Sequence, residues 1–435
     1  MKKLFLLMIP VLAALMSCSD GSPEDPNRAG KDPEMVIDML PETRSIVLTQ
    51  EQRTFVGKST DFSFNLFRAI SQMPEGKKSS IISPISVTYV LGMLNDGASG
   101  NTAKEITSVV GFGEGKPLAV NEFCKKLIDE APKTDPSVTL EIANIVIGND
   151  YRHVGFEPPY VRDMQDYYRA EITNLDFSQK TETLAEVNGW CNDKTHGMIP
   201  EILNESELKT NALLLLMNAI YFKATWTEKF DPADTRDKTF TTADGKTQSL
   251  PMMHRKALAQ YSENDVCTML NLPYGSGDKW SMKVLLPREG KTVDDVIATL
   301  NAESWEALRF SGWNPVVDIE MPCFKTTFET DLVEPLSAMG APTMFTPDLA
   351  EFPNICSNFK QDLYVGLMKQ KAAIEVDEEG TKASAVTITG LVDSAVPWDI
   401  EKPMNVDFHA NRPFVYVIQE ASSGVIFFLG TYRGE

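Results

Sequence analysis

The chain contains little histidine and little cysteine, and this scarcity limits the chemistry that it can carry. Only four histidines and six cysteines occur in 435 residues. No two cysteines have the spacing of a zinc-binding pair, and none stands beside a histidine at ligand spacing. The sequence therefore predicts no metal site and no cofactor. The histidines are scattered, and no ligand or catalytic pair is evident among His153, His196, His254 and His409.

Sequence motifs of catalysis are also missing. Gly97-Ala98-Ser99-Gly100-Asn101 lacks the last glycine of a nucleophile elbow. The glycines at 111, 113 and 115 have neither dinucleotide-binding nor Walker spacing, which is typical of a loop after a helix. We therefore predict that the protein is not an enzyme. A hydrolase without a recognised motif is kept as an alternative.

Basic residues are too few for a nucleic-acid-binding protein. Lysine and arginine number 41 against 61 acidic residues, which gives a formal net charge of −20. Such a surface would repel a phosphate backbone, and it suits a soluble monomer. The hydrophobic share of 43% and the charged share of 23% are ordinary for a globular protein.

The only long apolar run near the N-terminus has the layout of an export signal. Two lysines precede residues 4–16, which are too few to cross a membrane comfortably. Leu15-Met16-Ser17-Cys18 resembles a bacterial lipobox, in which the cysteine thiol takes a diacylglycerol. A plain signal peptide with an incidental cysteine is the alternative reading.

This pattern predicts a lipid-anchored protein of a Gram-negative cell envelope. Residues 1–17 would be the signal peptide, and Cys18 would carry the lipid. Residues 18–54, rich in proline, glycine and charge, would form a flexible tether. Ser19 does not favour retention in the inner membrane, so we expect the outer membrane or the cell surface.

The other five cysteines are odd in number, which excludes a complete disulfide framework and favours buried free thiols.

Hydrophobic periodicity predicts an α+β domain without internal repeats over residues 55–435. Ser59-Thr60-Asp61 has the residue types of a helix cap, and residues 212–222 are apolar enough for a strand buried on both faces. The chain would end in a buried hairpin. Helices are predicted at 61–70, 85–94, 159–170 and 182–195, and strands at 138–147, 172–175, 212–222, 282–286, 316–321, 324–328, 414–418 and 425–429.

One long segment, residues 378–411, has the composition of a functional loop. Small and β-branched residues at 381–389 follow an acidic turn, and residues 390–411 show no clear period. If the first part became a strand, small side chains at every second position from Thr381 would share one face, and Lys382 would lie on the other. A disordered surface loop is the alternative reading.

Several motifs of the chain resemble those of the serpin family, in family order from about residue 55 to the C-terminus. The segment from Glu375 to Thr387 is similar to the serpin hinge, and Asn411-Arg412-Pro413-Phe414 resembles the motif before the last hairpin. Further matches are Ser83-Pro84-x-Ser86, Asn218-Ala219-x-Tyr221-Phe222-Lys223-x-x-Trp226, Val187-Asn188-x-Trp190, Leu272-Pro273-Tyr274 and Phe427-Phe428-Leu429-Gly430.

The resemblance implies a fold of three β-sheets, eight or nine helices and an exposed reactive-centre loop. Most members are suicide inhibitors of serine proteases, and some inhibit cysteine proteases. The target cleaves the loop and is held as an acyl-enzyme while the loop inserts as a strand into the central sheet. A non-inhibitory serpin that acts as a surface binding or structural protein is the alternative. Bulky or charged residues at 381, 383 or 385 would favour that alternative, and they are absent.

The resemblance also assigns residues to roles. Hinge and insertion residues would be Glu378, Gly380, Thr381, Ala383, Ser384, Ala385 and Val386, and sheet-opening residues would be Ser83, Ser86, Asn218, Trp226 and Gln370. Gln370 stands where many members have histidine. The family register places the cleaved bond at Ser394-Ala395. The loop is long, with 33 positions from Gly380 to Pro413, and residues 383–401 contain no lysine or arginine, which favours an elastase-like or subtilisin-like target over a trypsin-like one.

Overall fold

The computed structural model describes residues 42–113, 117–359, 363–381 and 404–434 of the chain. The predicted signal peptide, Cys18 and residues 18–41 of the predicted tether lie outside these residues. Most of the predicted reactive loop, residues 382–403, lies outside them as well.

Nine α-helices occur in the described residues, in agreement with the expected eight or nine. They are α1 Gln50–Gln72, α2 Pro84–Gly97, α3 Gly100–Val109, α4 Pro117–Glu130, α5 Pro158–Tyr168, α6 Lys180–Lys194, α7 Val293–Thr299, α8 Ala302–Phe310 and α9 Val333–Ala338. No helix within this part of the chain has the length and apolarity needed to span a membrane.

Sixteen strands accompany these helices in the described part of the chain, so the α+β class is confirmed. They are β1 Ser80–Ile82, β2 Val138–Asn149, β3 Glu171–Leu175, β4 Leu214–Thr225, β5 Arg236–Thr241, β6 Thr247–Leu258, β7 Tyr261–Glu263, β8 Cys267–Tyr274, β9 Trp280–Pro287, β10 Val316–Pro322, β11 Phe324–Asp331, β12 Lys369–Val376, β13 Gly380–Thr381, β14 Asn405–His409, β15 Phe414–Glu420 and β16 Ile426–Tyr432.

The strands form four hydrogen-bonded sheets rather than the expected three. A six-stranded sheet has the order β1-β16-β15-β9-β8-β7, and a four-stranded sheet has the order β14-β10-β6-β5. A second four-stranded sheet, β13-β4-β2-β3, stands apart from the pair β11-β12. The additional sheet arises because no backbone ladder joins β4 to β12 among the described residues.

Helix α1 begins earlier than its sequence pattern suggested. Thr49 caps the helix, since its hydroxyl accepts from the Gln52 amide while the Gln52 side chain accepts from the Thr49 amide. Ser59 lies buried in the middle of the helix and is not part of a cap. Ile46 and Leu48, ahead of the helix, are buried in the core. The predicted tether end at residue 54 and domain start at residue 55 therefore fall inside α1.

Strand β14 lies within the segment that was predicted to be an irregular loop. Residues 405–409 pair in parallel with β10, so the prediction of a loop up to residue 411 was wrong at this end. The sequence does contain the alternation of a strand, since the apolar Phe408 stands between the polar Asp407 and His409. In the structure Phe408 is buried, and its two neighbours face outward. A strand of five residues next to a long loop gives too short a pattern for a clear period.

The five cysteines in the described part of the chain are free thiols, as predicted. Four are buried, and Cys323 is half-buried. Burial raises the pKa of Cys124 to about 12 and that of Cys191 to about 11, so these thiols stay protonated and unreactive at neutral pH.

Candidate functional site

A groove of about 840 Å³ lies between β4 and β12. Residues of both strands line it, together with residues from α2 and its N-cap. Strand β4 is paired with β2 along its other edge, and β12 is paired with β11. The edges of β4 and β12 that face the groove are therefore available to a further strand.

The groove is closed at one end by the short strand β13. Gly380 pairs with Thr225 and Thr381 pairs with Ala224, so β13 runs antiparallel to β4. A tight turn links β12 to β13, in which the amide and carbonyl groups of Asp377 and Gly380 bond to each other over 3.0 and 3.2 Å. The predicted hinge residues 380 and 381 are thus already part of the sheet.

Gly380 is the residue that this turn requires. Its φ is +143°, a backbone conformation that side chains disfavour. A Cβ atom at this position would lie 2.3 Å from the carbonyl oxygen of Ala224 and 2.6 Å from the Cα of Thr225. Only glycine lets the hinge approach β4 closely enough to form the strand pair.

Aromatic residues hold the other side of the hinge. The indole Nε1 of Trp226 donates to the carbonyl of Asp377 over 2.9 Å. The ring of Trp226 stacks on that of Tyr274, with centroids 4.5 Å apart and planes 9° apart. The Tyr274 and Thr381 hydroxyls are hydrogen-bonded over 2.8 Å. Thr381 is only 3% exposed, so position 381 accepts a small side chain with a hydroxyl.

Two acidic residues of the turn are held by partners on the chain after β4. Lys229 Nζ lies 2.6 Å from a carboxylate oxygen of Glu379, and the Thr235 hydroxyl donates to the Glu378 carboxylate over 2.7 Å. Burial raises the pKa of Asp377, although its carboxylate accepts the Glu379 and Gly380 amides. These contacts fix the turn to the end of the groove.

A polar cluster on the floor of the groove joins α2 to β12. Gln370 accepts from the Ser83 amide over 3.0 Å and donates to the Ser83 carbonyl over 2.8 Å. The Ser86 hydroxyl donates to the Ser83 hydroxyl over 3.1 Å. Glutamine can make both bonds at once because its amide group both donates and accepts.

Asn218 lines the same groove from β4, but its side-chain hydrogen bonds go to β2 and not to the Ser83 cluster. Its Nδ2 donates to the Asn144 side chain over 2.9 Å and to the Ala143 carbonyl over 3.2 Å. Its Oδ1 is buried and has no hydrogen-bond partner among the described residues. A buried acceptor without a partner costs free energy, and it marks a place where a donor would be stabilised.

The structure brings together the predicted sheet-opening residues at 83, 86, 218 and 370 around the groove, and it places Trp226 at the hinge end. The predicted insertion residues Ala383, Ser384, Ala385 and Val386 and the predicted bond Ser394-Ala395 lie outside the described residues. Sequence reasoning gave no role to Tyr274, Lys229 or Thr235. Tyr274 belongs to a motif that resembled the family, but its contact with Thr381 depends on the fold.

Comparison with known proteins identifies the class. The family model described as serpin, serine protease inhibitor, matches residues 57–433. The chain is 32% identical to human glia-derived nexin over 362 residues, which cover 80% of this chain and 86% of the relative. The chain belongs to the serpin family, whose inhibitory members block proteases and do not act as enzymes.

Solved structures agree with this assignment. The native state of the thermophilic serpin Tengpin matches with a TM-score of 0.77 and 26% identity, covering 91% of this chain and 97% of that one. Human thyroxine-binding globulin in complex with its hormone matches with a TM-score of 0.76 and 26% identity, covering 88% and 98%. The expected serpin fold is confirmed, and the fold hosts both inhibitors and a binding protein.

Proposed function

We propose that this serpin is a suicide inhibitor of serine proteases and, as a second target class, of cysteine proteases. Its reactive loop would insert into the groove between β4 and β12. The observation that carries the proposal is the pairing of Gly380 and Thr381 with the end of β4. Beyond this pair the groove edges of both strands are open. The chain leaves Thr381 at the point where a further strand would start.

The register of β13 defines where the following residues would lie. Directly opposite residues of antiparallel strands share one face of the sheet. Continued in this register, Ala383 would lie opposite Phe222, and Thr387 would lie opposite Asn218. Residue 391 would reach the start of β4. A bond cleaved at residues 394–395 would free enough chain to cover the whole strand.

The inserted side chains suit the positions that they would occupy. Thr387 would bring a hydroxyl to the unpartnered Oδ1 of Asn218. Ala383 and Ala385 are small enough for the inward face, where Phe222 and Ala224 are already buried. Lys382 would lie on the outward face with Lys223, so no charge would enter the core.

The loop sequence supports an elastase-like or subtilisin-like target. Residues 383–401 contain neither lysine nor arginine, and Lys402 is followed by a proline that blocks most cleavage. Small or aliphatic candidates for the cleaved position, Val392, Ser394 and Val396, lie at or near the proposed bond Ser394-Ala395. The lipobox pattern supports lipidation at Cys18 and attachment to the outer membrane or cell surface of a Gram-negative bacterium. The net charge of −20 supports a monomer.

A non-inhibitory binding protein is the second candidate. The likeness to thyroxine-binding globulin favours it, because that protein uses the same fold to hold a small molecule. The hinge separates the two functions, since insertion needs small, uncharged residues on the inward face.

The proposed function is tested by mixing the full chain, purified in mild detergent, with pancreatic elastase, subtilisin and trypsin. We expect a covalent complex with elastase or subtilisin that survives boiling in SDS. The released peptide should have the mass of residues 395–435. Cleavage without a complex, followed by a large rise in thermal stability, would show insertion without trapping. Inhibition of trypsin through cleavage after Lys402 would contradict the proposed specificity.

Thr381→Arg and Thr381→Ser form a matched pair for the mechanism. Arginine would bring a charge into a site that is 3% exposed, so we expect the variant to be cleaved as a substrate with no complex band. Serine keeps the hydroxyl that meets Tyr274, and this variant should still trap the protease. Equal trapping by both variants would argue against insertion.

A further inference from the structure

Two histidines and three carboxylates gather on the outer face of the sheet β14-β10-β6-β5. Asp318 and Glu320 lie on β10, and their neighbours come from the strands on both sides. His254 belongs to β6, and Asp407 and His409 belong to β14. Ile319 stands between Asp318 and Glu320, Phe408 stands between Asp407 and His409, and both are buried in the core. Because side chains alternate between the two faces of a strand, the charged residues and histidines lie on the outer face.

The sheet register fixes these side chains side by side. Glu320 lies opposite His254 in the antiparallel pair with β6 and opposite His409 in the parallel pair with β14. Asp318 lies opposite Asp407. Cross-strand neighbours have Cβ atoms about 5 Å apart, which allows their side chains to converge on one point.

Asp318 is the centre of the cluster. Its Oδ1 lies 2.9 Å from His254 Nε2 and 3.6 Å from His409 Nε2. His409 Nε2 is shielded from solvent and has no hydrogen-bond partner among the described residues. Glu320 already has a cation, since it forms an ion pair with Lys238. This leaves two imidazoles and the carboxylates of Asp318 and Asp407 as donors.

We propose that His254, Asp318, Asp407 and His409 form a binding site for a divalent transition metal of the zinc type. In each of the two overlapping trios, His254-Asp318-Glu320 and Asp318-Asp407-His409, the donor atoms lie within 4.8 Å of one another. Ligands of a single zinc ion lie about 2.0 to 2.2 Å from it, so the side chains of both trios would rotate towards a point beside Asp318, which belongs to each trio. Imidazole with carboxylate is a donor set that zinc accepts, whereas magnesium and calcium prefer oxygen alone.

The site would tie down the strand that follows the reactive loop. Strand β14 is an edge strand of five residues, and its backbone pairs with β10 alone among the described residues. A metal bound by His409 and Asp407 of β14, by Asp318 of β10 and by His254 of β6 would join three strands. The bound ion would therefore strengthen the C-terminal attachment of the loop without entering the groove.

The test uses the full chain in mild detergent, stripped with EDTA, dialysed and titrated with cobalt(II) and then zinc(II). We expect one cobalt ion per chain with visible absorption bands that zinc abolishes. Zinc should raise the melting temperature, because it binds the folded state. It should also slow amide hydrogen exchange at residues 405–409. A strong near-ultraviolet thiolate-to-cobalt band would place the metal at a cysteine and overturn the proposal.

Substitutions locate the site. His254→Gln and His409→Gln should each weaken zinc binding at least tenfold, while the circular dichroism spectrum in the absence of metal stays that of the wild type. Asp318→Asn, which keeps the side-chain shape, should have the same effect. His196→Gln is the matched control, because His196 lies 3.0 Å from the Glu141 carboxylate outside the cluster. Unchanged affinity in the three cluster variants, or no stoichiometric binding by the wild type, would overturn the proposal.

Discussion

The C-terminal hairpin and strand β4 have similarly apolar sequences but opposite environments. Every residue of β15 and β16 is buried, whereas eight of the twelve positions of β4 are half-buried. The sequence pattern predicted burial on both faces for residues 212–222, and that prediction was wrong for most of the strand. Apolar composition alone therefore does not decide how well a strand is covered.

The difference in burial between the hairpin and β4 follows from how many neighbouring strands each of them pairs with. In the six-stranded sheet β16 lies between β1 and β15, and β15 lies between β16 and β9. Strand β4 has β2 along one edge and only the two residues of β13 along the other in the described structure. Unsatisfied main-chain groups and exposed apolar side chains raise the free energy of the folded state. If the proposed insertion takes place, the added strand would pair these edges and cover the half-buried side chains of β4, whereas the hairpin is already fully paired and buried.

The largest effect is expected from truncating a leucine in each region. Leu429→Ala, in the fully buried β16, should lower the free energy of unfolding by about 2–5 kcal/mol, because it removes core contacts and leaves a cavity. Leu216→Ala, in the half-buried part of β4, should cost about 1 kcal/mol. Urea unfolding of both variants measures the two values. Equal losses would contradict the contrast between hairpin and groove strand.

A buried lysine makes the hairpin sheet sensitive to pH. Burial, and then the charge of Arg309, lowers the pKa of Lys283 from 10.5 to about 7, and its side-chain nitrogen contacts the Ser281 hydroxyl over 2.7 Å. Between pH 7 and 10.5 the unfolded chain then binds more protons than the folded one, so stability rises with pH. Below pH 7 both states carry the proton, and this contribution no longer changes.

Lys283→Met should remove that pH dependence. The stability difference between wild type and variant should change by about 2 kcal/mol from pH 7 to pH 9 in favour of the wild type. Paired urea titrations at the two pH values measure this difference and cancel the titration of other groups. If the stability difference between wild type and variant is the same at both pH values, Lys283 keeps its proton in the folded state.

Gly380, in the turn between β12 and β13, can be compared with Gly57, a glycine inside helix α1. Gly380→Ala should destabilise the junction of β13 and β4 by about 1–3 kcal/mol, since the added Cβ would meet main-chain atoms of β4 at 2.3 Å. Gly57→Ala, inside α1 with no atom near the added Cβ, should stabilise the protein by about 0.5–1 kcal/mol. Thermal unfolding of both variants should therefore give shifts of opposite sign.

The smallest effect is expected at the floor of the groove. Gln370→Ala removes both bonds to the Ser83 main chain and should lower the free energy of unfolding by about 1–2 kcal/mol. Gln370→His introduces the residue that many family members have, and it should lower the free energy of unfolding by less than Gln370→Ala does. Amide hydrogen exchange in residues 83–86 should be faster in the alanine variant but not in the histidine variant. That result would place the loss of stability at the start of α2. Equal losses in both variants would argue against a role for the hydrogen bonds.

Local patterns were sufficient for most of the regular structure. The predicted strand at 138–147 is confirmed as β2, and the predicted hairpin is confirmed as β15 and β16. Both have strong patterns, since one alternates and the other is almost wholly apolar. The start of α1 was misplaced because the cap-like Ser59 and Thr60 lie inside the helix, while the true cap at Thr49 stands in a segment that resembled a tether.

The sequence by itself determined the class of protein, because the motifs that resemble the family are short runs of neighbouring residues and can be recognised without the fold. Small residues at alternate positions left a surface loop and an inserting strand open, and only the family resemblance assigned Gly380 and Thr381 to a hinge. The resemblance likewise assigned Gln370 to the cluster near Ser83, and the residue type indicated that its side chain can both donate and accept hydrogen bonds there.

The tertiary structure decided which surfaces stay open and which distant groups meet. The groove exists because β4 and β12, about 150 residues apart in the chain, face each other without a backbone ladder in the described structure. The histidines at 254 and 409 looked unrelated in sequence, yet the register of three strands brings both to Asp318. Strand pairing links residues by register across the fold, and no spacing along the chain encodes that register.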